Sequence, residues 1–205
     1  MKSSTKKVVY SATFIALIFV ALMLDTWVGS FMPIKPAIFS LPAVFVFVLI
    51  FGSWQYAVLG GLSFGLLSFA RAFITGSLPF QNPLVSILPR ILVGVVAYAV
   101  YLLCKKLFAK CSKGETFALG ISSLIGVITN TVTVLFMMYF TDFTTLAGVF
   151  SAIVSINFPF EIVVTVVLTP VIVLGVRRGL KLGVDKPVAN TVAVEVVENT
   201  GDDEQ

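Results

Sequence analysis

The sequence predicts an all-α integral membrane protein with six transmembrane helices. Hydrophobic residues make up 58% of its 205 residues and charged residues only 12%, whereas soluble domains average about 45–50% and about 25%. The apolar residues form blocks of roughly the 20 residues that a helix needs to cross a bilayer. Lysine and arginine are concentrated in short stretches between blocks, as the positive-inside rule expects of cytoplasmic loops.

Six hydrophobic blocks follow one another in residues 1–182, which we predict to form the membrane domain. Lysines precede the first block, as in a signal peptide, but its apolar run is too long and no clear small-x-small cleavage site precedes Asp25. We therefore expect it to be retained. Residues 183–205 are polar and are predicted to form a disordered tail. The blocks are Val8–Leu24, Ala37–Phe51, Trp54–Ile74, Leu84–Cys104, Phe117–Phe140 and Leu146–Val176.

The orientation follows from three basic segments, which lie before the first block, between the fourth and fifth, and after the sixth. With six helices, all three segments fall on the same side of the membrane, which the positive-inside rule identifies as cytoplasmic. Both termini are therefore predicted to be cytoplasmic, in a multi-pass protein of the cell membrane. The basic residues are Lys2, Lys6, Lys7, Lys105, Lys106, Lys110, Lys113, Arg177, Arg178 and Lys181.

Several kinds of chemistry are excluded. The chain has no histidine, which removes Ser-His and Cys-His catalysis and most zinc sites. It has no G-x-x-x-x-G-K-[ST] loop, so we expect no ATP site of its own. Cys104 and Cys111 flank a lysine-rich stretch and are predicted to be reduced thiols. We expect no catalytic residue, metal or cofactor, and hence not an enzyme. The alternatives from other classes are a small membrane enzyme acting on lipid and a ligand-free scaffold subunit.

The charges inside the predicted helices indicate a binding site. Each of Arg71, Arg90 and Glu161 costs about 2.5–3.5 kcal/mol in a bilayer unless it has a partner or a wet cavity. Arg90 is expected to lie roughly 10 Å below the outer surface, and Asn130, Asn157 and Glu161 also fall in the outer half. A channel needs polar groups through the whole thickness. A cavity open only to the outside instead favours a binding protein.

Two interpretations of these side chains stay open. An Arg90–Glu161 ion pair would only hold helices together. In the second interpretation, Arg90, Arg71, Asn130, Asn157 and Glu161 bind a ligand, and an arginine suits a carboxylate through a bidentate contact. Asn157 and Glu161 are four residues apart and share one helix face.

Residues of the outer loops complete the predicted pocket. Trp27 can cover an apolar ligand, Lys35 adds a positive group, and Asn82 adds a polar one; the alternative roles are interfacial anchors or loop caps. On the first helix, Ala12 and Ala16 form a small-xxx-small pair that allows another helix to approach closely, whether inside the protein or from a partner. Gly60, Gly61 and Gly65 of the third helix are interpreted as close internal packing.

The stretch Asn82–Gly94, NPLVSILPRILVG, resembles the NPLVSxLPRxxxG segment of the S components of energy-coupling factor (ECF) vitamin transporters. The similar family includes pantothenate and folate binders. Gly60–Leu67 and Asn157–Glu161 are also similar to its pattern, and the resemblance covers roughly residues 8–178.

The resemblance implies a mechanism. An S component captures a vitamin outside, under a lid formed by the loop between helices one and two. It docks on a transmembrane coupling subunit carried by two cytosolic ATPase subunits, which bind the ATP, and topples to release the vitamin inside. By position, Ala12 and Ala16 would be the docking face, and Arg90, Asn130 and Glu161 would line the pocket with Asn157.

Within this family, the overall sequence pattern looks most like that of the pantothenate binders. Pantothenate is a small hydroxylated amide with one carboxylate, which fits one arginine together with asparagine and glutamine donors. Many such binders have His-Ile-Pro near helix two, where this chain has Ser40-Leu41-Pro42. Hydroxymethylpyrimidine and pyridoxine are the next candidates, followed by riboflavin and folate.

Overall fold

A computed structural model describes residues 3–31, 37–108, 113–145 and 157–179, together with residues 111 and 148. These residues form helices and turns without a strand, which confirms the prediction of an all-α protein. Leu78–Gln81 form a 3-10 turn and Pro83–Ser86 a single helical turn before the fourth long helix. The long helices are α1 (Ser3–Phe31), α2 (Ser40–Phe51), α3 (Trp54–Thr75), α4 (Leu88–Leu107), α5 (Gly114–Phe140) and α6 (Asn157–Gly179).

Five of these six helices are long and apolar enough to cross a membrane, and α2 is the exception. With 12 residues, α2 is about 18 Å long, less than the roughly 30 Å of a bilayer core. The predicted count of six helices is therefore confirmed for the described residues, and five of the six have the length of a membrane span. That α2 also spans the bilayer stays a prediction. The side on which the termini lie stays a prediction, and the predicted tail at 183–205 lies outside the described residues.

Helix α2 forms the centre of the bundle. All twelve of its residues are buried, and it contacts each of the other five helices. A helix that is hydrophobic on every side is stable only where protein or lipid surrounds it. It ends at Gly52, whose φ of 58° lies in the left-handed region that favours glycine. The Tyr98 hydroxyl donates to the Gly52 carbonyl oxygen at 2.5 Å and fixes this end against α4.

Helices α3 and α4 approach each other closely through glycine. A Cβ atom at Gly61 would collide with the carbonyl oxygen of Arg90, and one at Gly94 would collide with the carbonyl oxygen of Ala57. The interpretation of Gly61 as a packing residue is thus confirmed. Because no side chain separates the two backbones here, the backbone of Arg90 lies directly against α3.

Helix α1 is longer than predicted and ends at Phe31 instead of Leu24. Asp25 and Trp27 therefore lie in a helix, and the prediction that they belong to a loop is wrong. An acidic residue after an apolar run indicates a loop when it faces solvent, but the Asp25 side chain is only 5% exposed. Its partners, described below, lie at the start of α2.

A buried polar network joins four helices at the far end of the bundle. Arg177 of α6 forms an ion pair with Glu115 of α5 and donates to the Leu49 carbonyl oxygen of α2 at 2.9 Å. The Tyr101 hydroxyl of α4 donates to Glu115 at 2.6 Å. Arg177 is 1% exposed, so its prediction as a residue of a basic loop is wrong. The expectation that strongly polar intramembrane groups occupy one half only is corrected as well.

Candidate binding site

A cavity of about 340 Å³ lies where α1 and α3 end and α4 begins, on the side predicted to face outward. This volume is at the lower end of the range for small-molecule sites, about 300–1,000 Å³. Four helices and the start of α2 form its wall. The lining residues are Leu22, Asp25, Thr26, Gly29, Ser30, Ala37, Ser40, Phe64, Ser68, Arg71, Thr75, Ser77, Arg90 and Asn130.

The position of Arg90 follows from the prolines beside it. In an α-helix the carbonyl of Val85 would accept the amide N–H of residue 89, but Pro89 has none. The helical turn Pro83–Ser86 accordingly breaks at Ile87 before α4 starts. The Arg90 guanidinium takes the orphaned acceptor, and its Nη1 donates to the Val85 carbonyl oxygen at 2.6 Å.

Two aromatic rings lie close to the same guanidinium. The Cζ atom of Arg90 lies 5.7 Å from the ring centre of Phe64 and 5.0 Å from that of Phe80, within the range of cation–π contacts. The side chain is 6% exposed, and its buried Nε has no hydrogen-bond partner. No ion pair joins Arg90 and Glu161 within 4.0 Å. The structure therefore does not contain the Arg90–Glu161 ion pair that the first interpretation of these side chains expected.

Arg71 of α3 is the second cation of the cavity wall. It is half-buried, and its Nη1 donates to the Thr26 hydroxyl of α1 over a long 3.3 Å. No carboxylate of the described residues lies within 4.0 Å of it. Like Arg90, it therefore brings a positive charge to the cavity without a carboxylate ion-pair partner in the described part of the chain.

The nearby acids are engaged elsewhere. Asp25 accepts the backbone N–H of Phe39 on Oδ1 at 2.8 Å and that of Ser40 on Oδ2 at 2.9 Å. Glu161 of α6 accepts the N–H of Ala37 on Oε1 at 2.7 Å. The first amides of a helix have no intrahelical partner and form the positive end of its dipole, which favours carboxylates there. Two acids from α1 and α6 thus hold the entry to α2.

Sequence reasoning did not assign Asp25 to the site. Helix α2 has no side-chain cap of its own, since its capping residue is Phe39. An apolar helix start without Ser, Thr, Asp or Asn in the capping position was the available signal that another segment must supply the acceptor.

Asn130 of α5 lines the same cavity as the two arginines. Its Oδ1 is buried and has no hydrogen-bond partner. A buried polar atom without a partner costs about 1–3 kcal/mol. Asn130 and Arg90 thus each bring a buried polar atom without a partner to the wall of the cavity.

The remaining predicted pocket residues lie away from this cavity or outside the part of the chain that the structure describes. The Asn82 side chain accepts the N–H of Leu84 at 3.0 Å and caps the turn before α4. Trp27 is 64% exposed and packs edge-on against Phe31 at 5.1 Å. Neither lines the cavity. Lys35 and the side chain of Asn157 lie outside the described residues.

The alanine pair of α1 is exposed on the surface of the bundle. Ala12 is part of an open, mostly apolar groove of about 430 Å³ between α1 and α3. Ile15, Tyr56 and Leu59 also line this groove. The described helices do not cover the side chains of Ala12 and Ala16, and the role of this pair as a docking face stays a prediction.

Five membrane-length helices around a buried sixth, enclosing a polar cavity, define a multi-pass protein of the cell membrane. The chain belongs to the substrate-specific components of ECF transporters, since the model of that family, "ECF transporter, substrate-specific component", matches residues 6–176. The family's name describes the substrate-specific subunit of a transporter.

Two curated relatives are similar over most of their length. The pantothenic acid transporter PanT of Lactococcus lactis subsp. cremoris is 28% identical over 198 residues, which cover 84% of this chain and 94% of the relative. The pantothenate transporter PanT of Leuconostoc mesenteroides subsp. mesenteroides is 32% identical over 191 residues, covering 83% and 91%. The resemblance found in the sequence is confirmed at the level of the family.

Proposed function

We propose that this S component binds pantothenate from outside the cell and delivers it through an ECF coupling and ATPase module. The observation that carries the proposal is the arrangement of charge. Arg71 and Arg90 line the cavity without a carboxylate within 4.0 Å in the described residues, while Asp25 and Glu161 are taken up by the amides before α2. An uncompensated buried cation is costly, so the cavity favours an anion.

Pantothenate suits the remaining polar groups. Its carboxylate would accept from the guanidinium groups, in the charge-assisted contact that arginine makes best. Its hydroxyl and amide N–H groups would donate to Asn130 Oδ1, which has no partner of its own. Both relatives are named for this vitamin. Neutral heterocycles such as pyridoxine or hydroxymethylpyrimidine would leave the arginine charges unpaired, and folate and riboflavin are much larger than pantothenate.

The family and the basic segments support the proposed direction and partners. The cavity lies on the side that the basic segments predict to be outside, so capture would occur there and both termini would be cytoplasmic. Ala12 and Ala16 would form the face that docks on the coupling subunit, because small exposed residues allow a partner helix to approach closely. The two ATPase subunits would bind the ATP, since this chain has no Walker loop.

The test is mass spectrometry of small molecules that copurify with the protein in detergent, followed by titration of a vitamin panel. Pantothenate in the extract, with saturable binding on readdition, supports the proposal. A pyrimidine or pyridine vitamin in the extract would keep the family and replace the substrate. Binding of none of the panel would favour a ligand-free scaffold subunit.

A further inference from the structure

Three charged side chains of the described residues set the charge of the cavity wall. Arg71 and Arg90 bring two positive charges, and Asp25 brings one negative charge. Asp25 cannot turn away from the cavity, because both of its oxygens hold backbone amides and its side chain is 5% exposed. The described wall therefore has one net positive charge at a fixed position.

We propose that Asp25 is a specificity-determining residue that limits the ligand of this cavity to a single negative charge. The inference rests on the proposed function, because it concerns the same site. It adds to that function the charge of the ligands that the site accepts and the residue that disfavours ligands with a second negative charge.

The physical reason is charge balance in a cavity whose charged wall residues are held in place by the helices. A monoanion neutralises the wall, whereas a ligand with a second negative charge leaves an excess charge beside the Asp25 carboxylate. At the effective dielectric of such sites, repulsion between two unit charges a few ångströms apart lowers the affinity for a ligand by more than a factor of ten. Discrimination through an unfavourable contact with the wrong ligand is a general device of specific sites.

Glu161 offers a matched comparison. It has the same charge as Asp25 and also accepts a backbone N–H at the entry to α2, from Ala37. It does not line the cavity, however, whereas Asp25 does. Removing the charge of Glu161 therefore takes a carboxylate from the entry to α2 and none from the cavity wall. Its glutamine replacement keeps an oxygen for the Ala37 N–H, whereas Asp25→Asn keeps an acceptor for only one of its two amides.

The experiment measures dissociation constants of the full chain in detergent for three probes that differ in charge. They are pantothenate, the neutral panthenol, and the pantoyl amide of aspartate, which has one additional carboxylate. We expect Asp25→Asn to lower the ratio of the aspartyl probe's constant to that of pantothenate by about tenfold or more. Glu161→Gln should change this ratio less.

The ratio separates an effect of charge from an effect on the fold, because damage to the start of α2 weakens the binding of all three probes alike. An unchanged ratio in Asp25→Asn, or an equal shift in Glu161→Gln, would overturn the assignment. If Asp25→Asn does not fold, Ser30→Asp adds a carboxylate to the same wall at an exposed position of α1. It should raise the ratio, and an unchanged ratio would again overturn the inference. A wild-type chain that does not bind pantothenate would contradict the proposed function instead.

Discussion

The guanidinium of Arg90 donates to the carbonyl oxygen of Val85 at 2.6 Å, an acceptor that Pro89 leaves without its helical partner. One nitrogen of the side chain is thus used to fix its direction, while the buried Nε has no partner. The proline that breaks the helix and the arginine that follows it therefore act together, the first by creating the acceptor and the second by using it.

Replacement of Arg90 by alanine should abolish tight binding of pantothenate without preventing membrane insertion. Hydrogen bonds to charged groups contribute about 1.5–3 kcal/mol, so we expect the dissociation constant to rise by about 100-fold. The measurement is a titration of the purified variant, with Leu92→Ala on the exposed side of α4 as the control. An affinity equal to that of the wild type would remove Arg90 from the site.

Much of this site could be predicted from the sequence, since charges within apolar blocks need a reason to be there. Arg71, Arg90 and Asn130 all line the cavity. The position of each residue within its apolar block predicted both its helix and its depth in the membrane. The sequence did not predict which helices face one another, because periodicity does not fix the neighbours of a helix.

Asp25 and Arg177 show where the sequence was insufficient. Both lie at the edge of an apolar block, where a charge usually marks a loop, and both are buried because another element reaches them. Asp25 holds the amides of Phe39 and Ser40, and Arg177 meets Glu115 across 62 positions of sequence. Long-range partners of this kind leave no local pattern. The short length of α2 also depends on such a partner, because Asp25 fixes the turn at which the helix begins.

Substitution of Gly61 by leucine should destabilise the protein and weaken ligand binding together. A Cβ atom at this position meets the backbone of Arg90 and Ile91, which cannot move aside as a flexible side chain would. Overpacking typically costs about 1–3 kcal/mol, and the displaced backbone also bears Arg90. Thermal unfolding in detergent and a pantothenate titration would measure both effects.

The control for Gly61 is another glycine of a long helix. Gly175 lies in α6, and a Cβ atom there would meet nothing within 4 Å. Gly175→Ala should leave ligand affinity unchanged and keep or slightly raise the unfolding temperature, since alanine is about 1 kcal/mol better than glycine in a helix. Equal losses in Gly61→Leu and Gly175→Ala would contradict the packing argument.

The Glu115–Arg177 network should contribute to stability and not to ligand binding. Removing one partner of a buried ion pair leaves an unpaired charge and typically costs about 3–5 kcal/mol. Glu115→Ala should therefore lower the unfolding temperature strongly, while Glu115→Leu combined with Arg177→Met should recover part of the loss. Pantothenate affinity, measured below the unfolding temperature, should stay near that of the wild type. A selective loss of affinity would show that this end of the bundle acts on the cavity.

A bulky residue at Ala12 or Ala16 should separate binding from transport. Both positions are exposed on α1, and the groove beside Ala12 is open between α1 and α3. Ala12→Trp fills the space that a partner helix would need, but it lies at the end of α1 remote from Asp25 and the cavity. We expect pantothenate binding to the isolated protein to be unchanged and uptake of labelled pantothenate by cells to be lost.

The matched control is Leu17→Trp, which places the same ring on a lipid-accessible face of the same helix, 50% exposed and outside the groove. Normal uptake by Ala12→Trp, or equal loss in Leu17→Trp, would argue that the alanine pair is an ordinary lipid-facing surface. Loss of uptake in the first variant alone, with the complex no longer copurifying, would place the coupling subunit on this face.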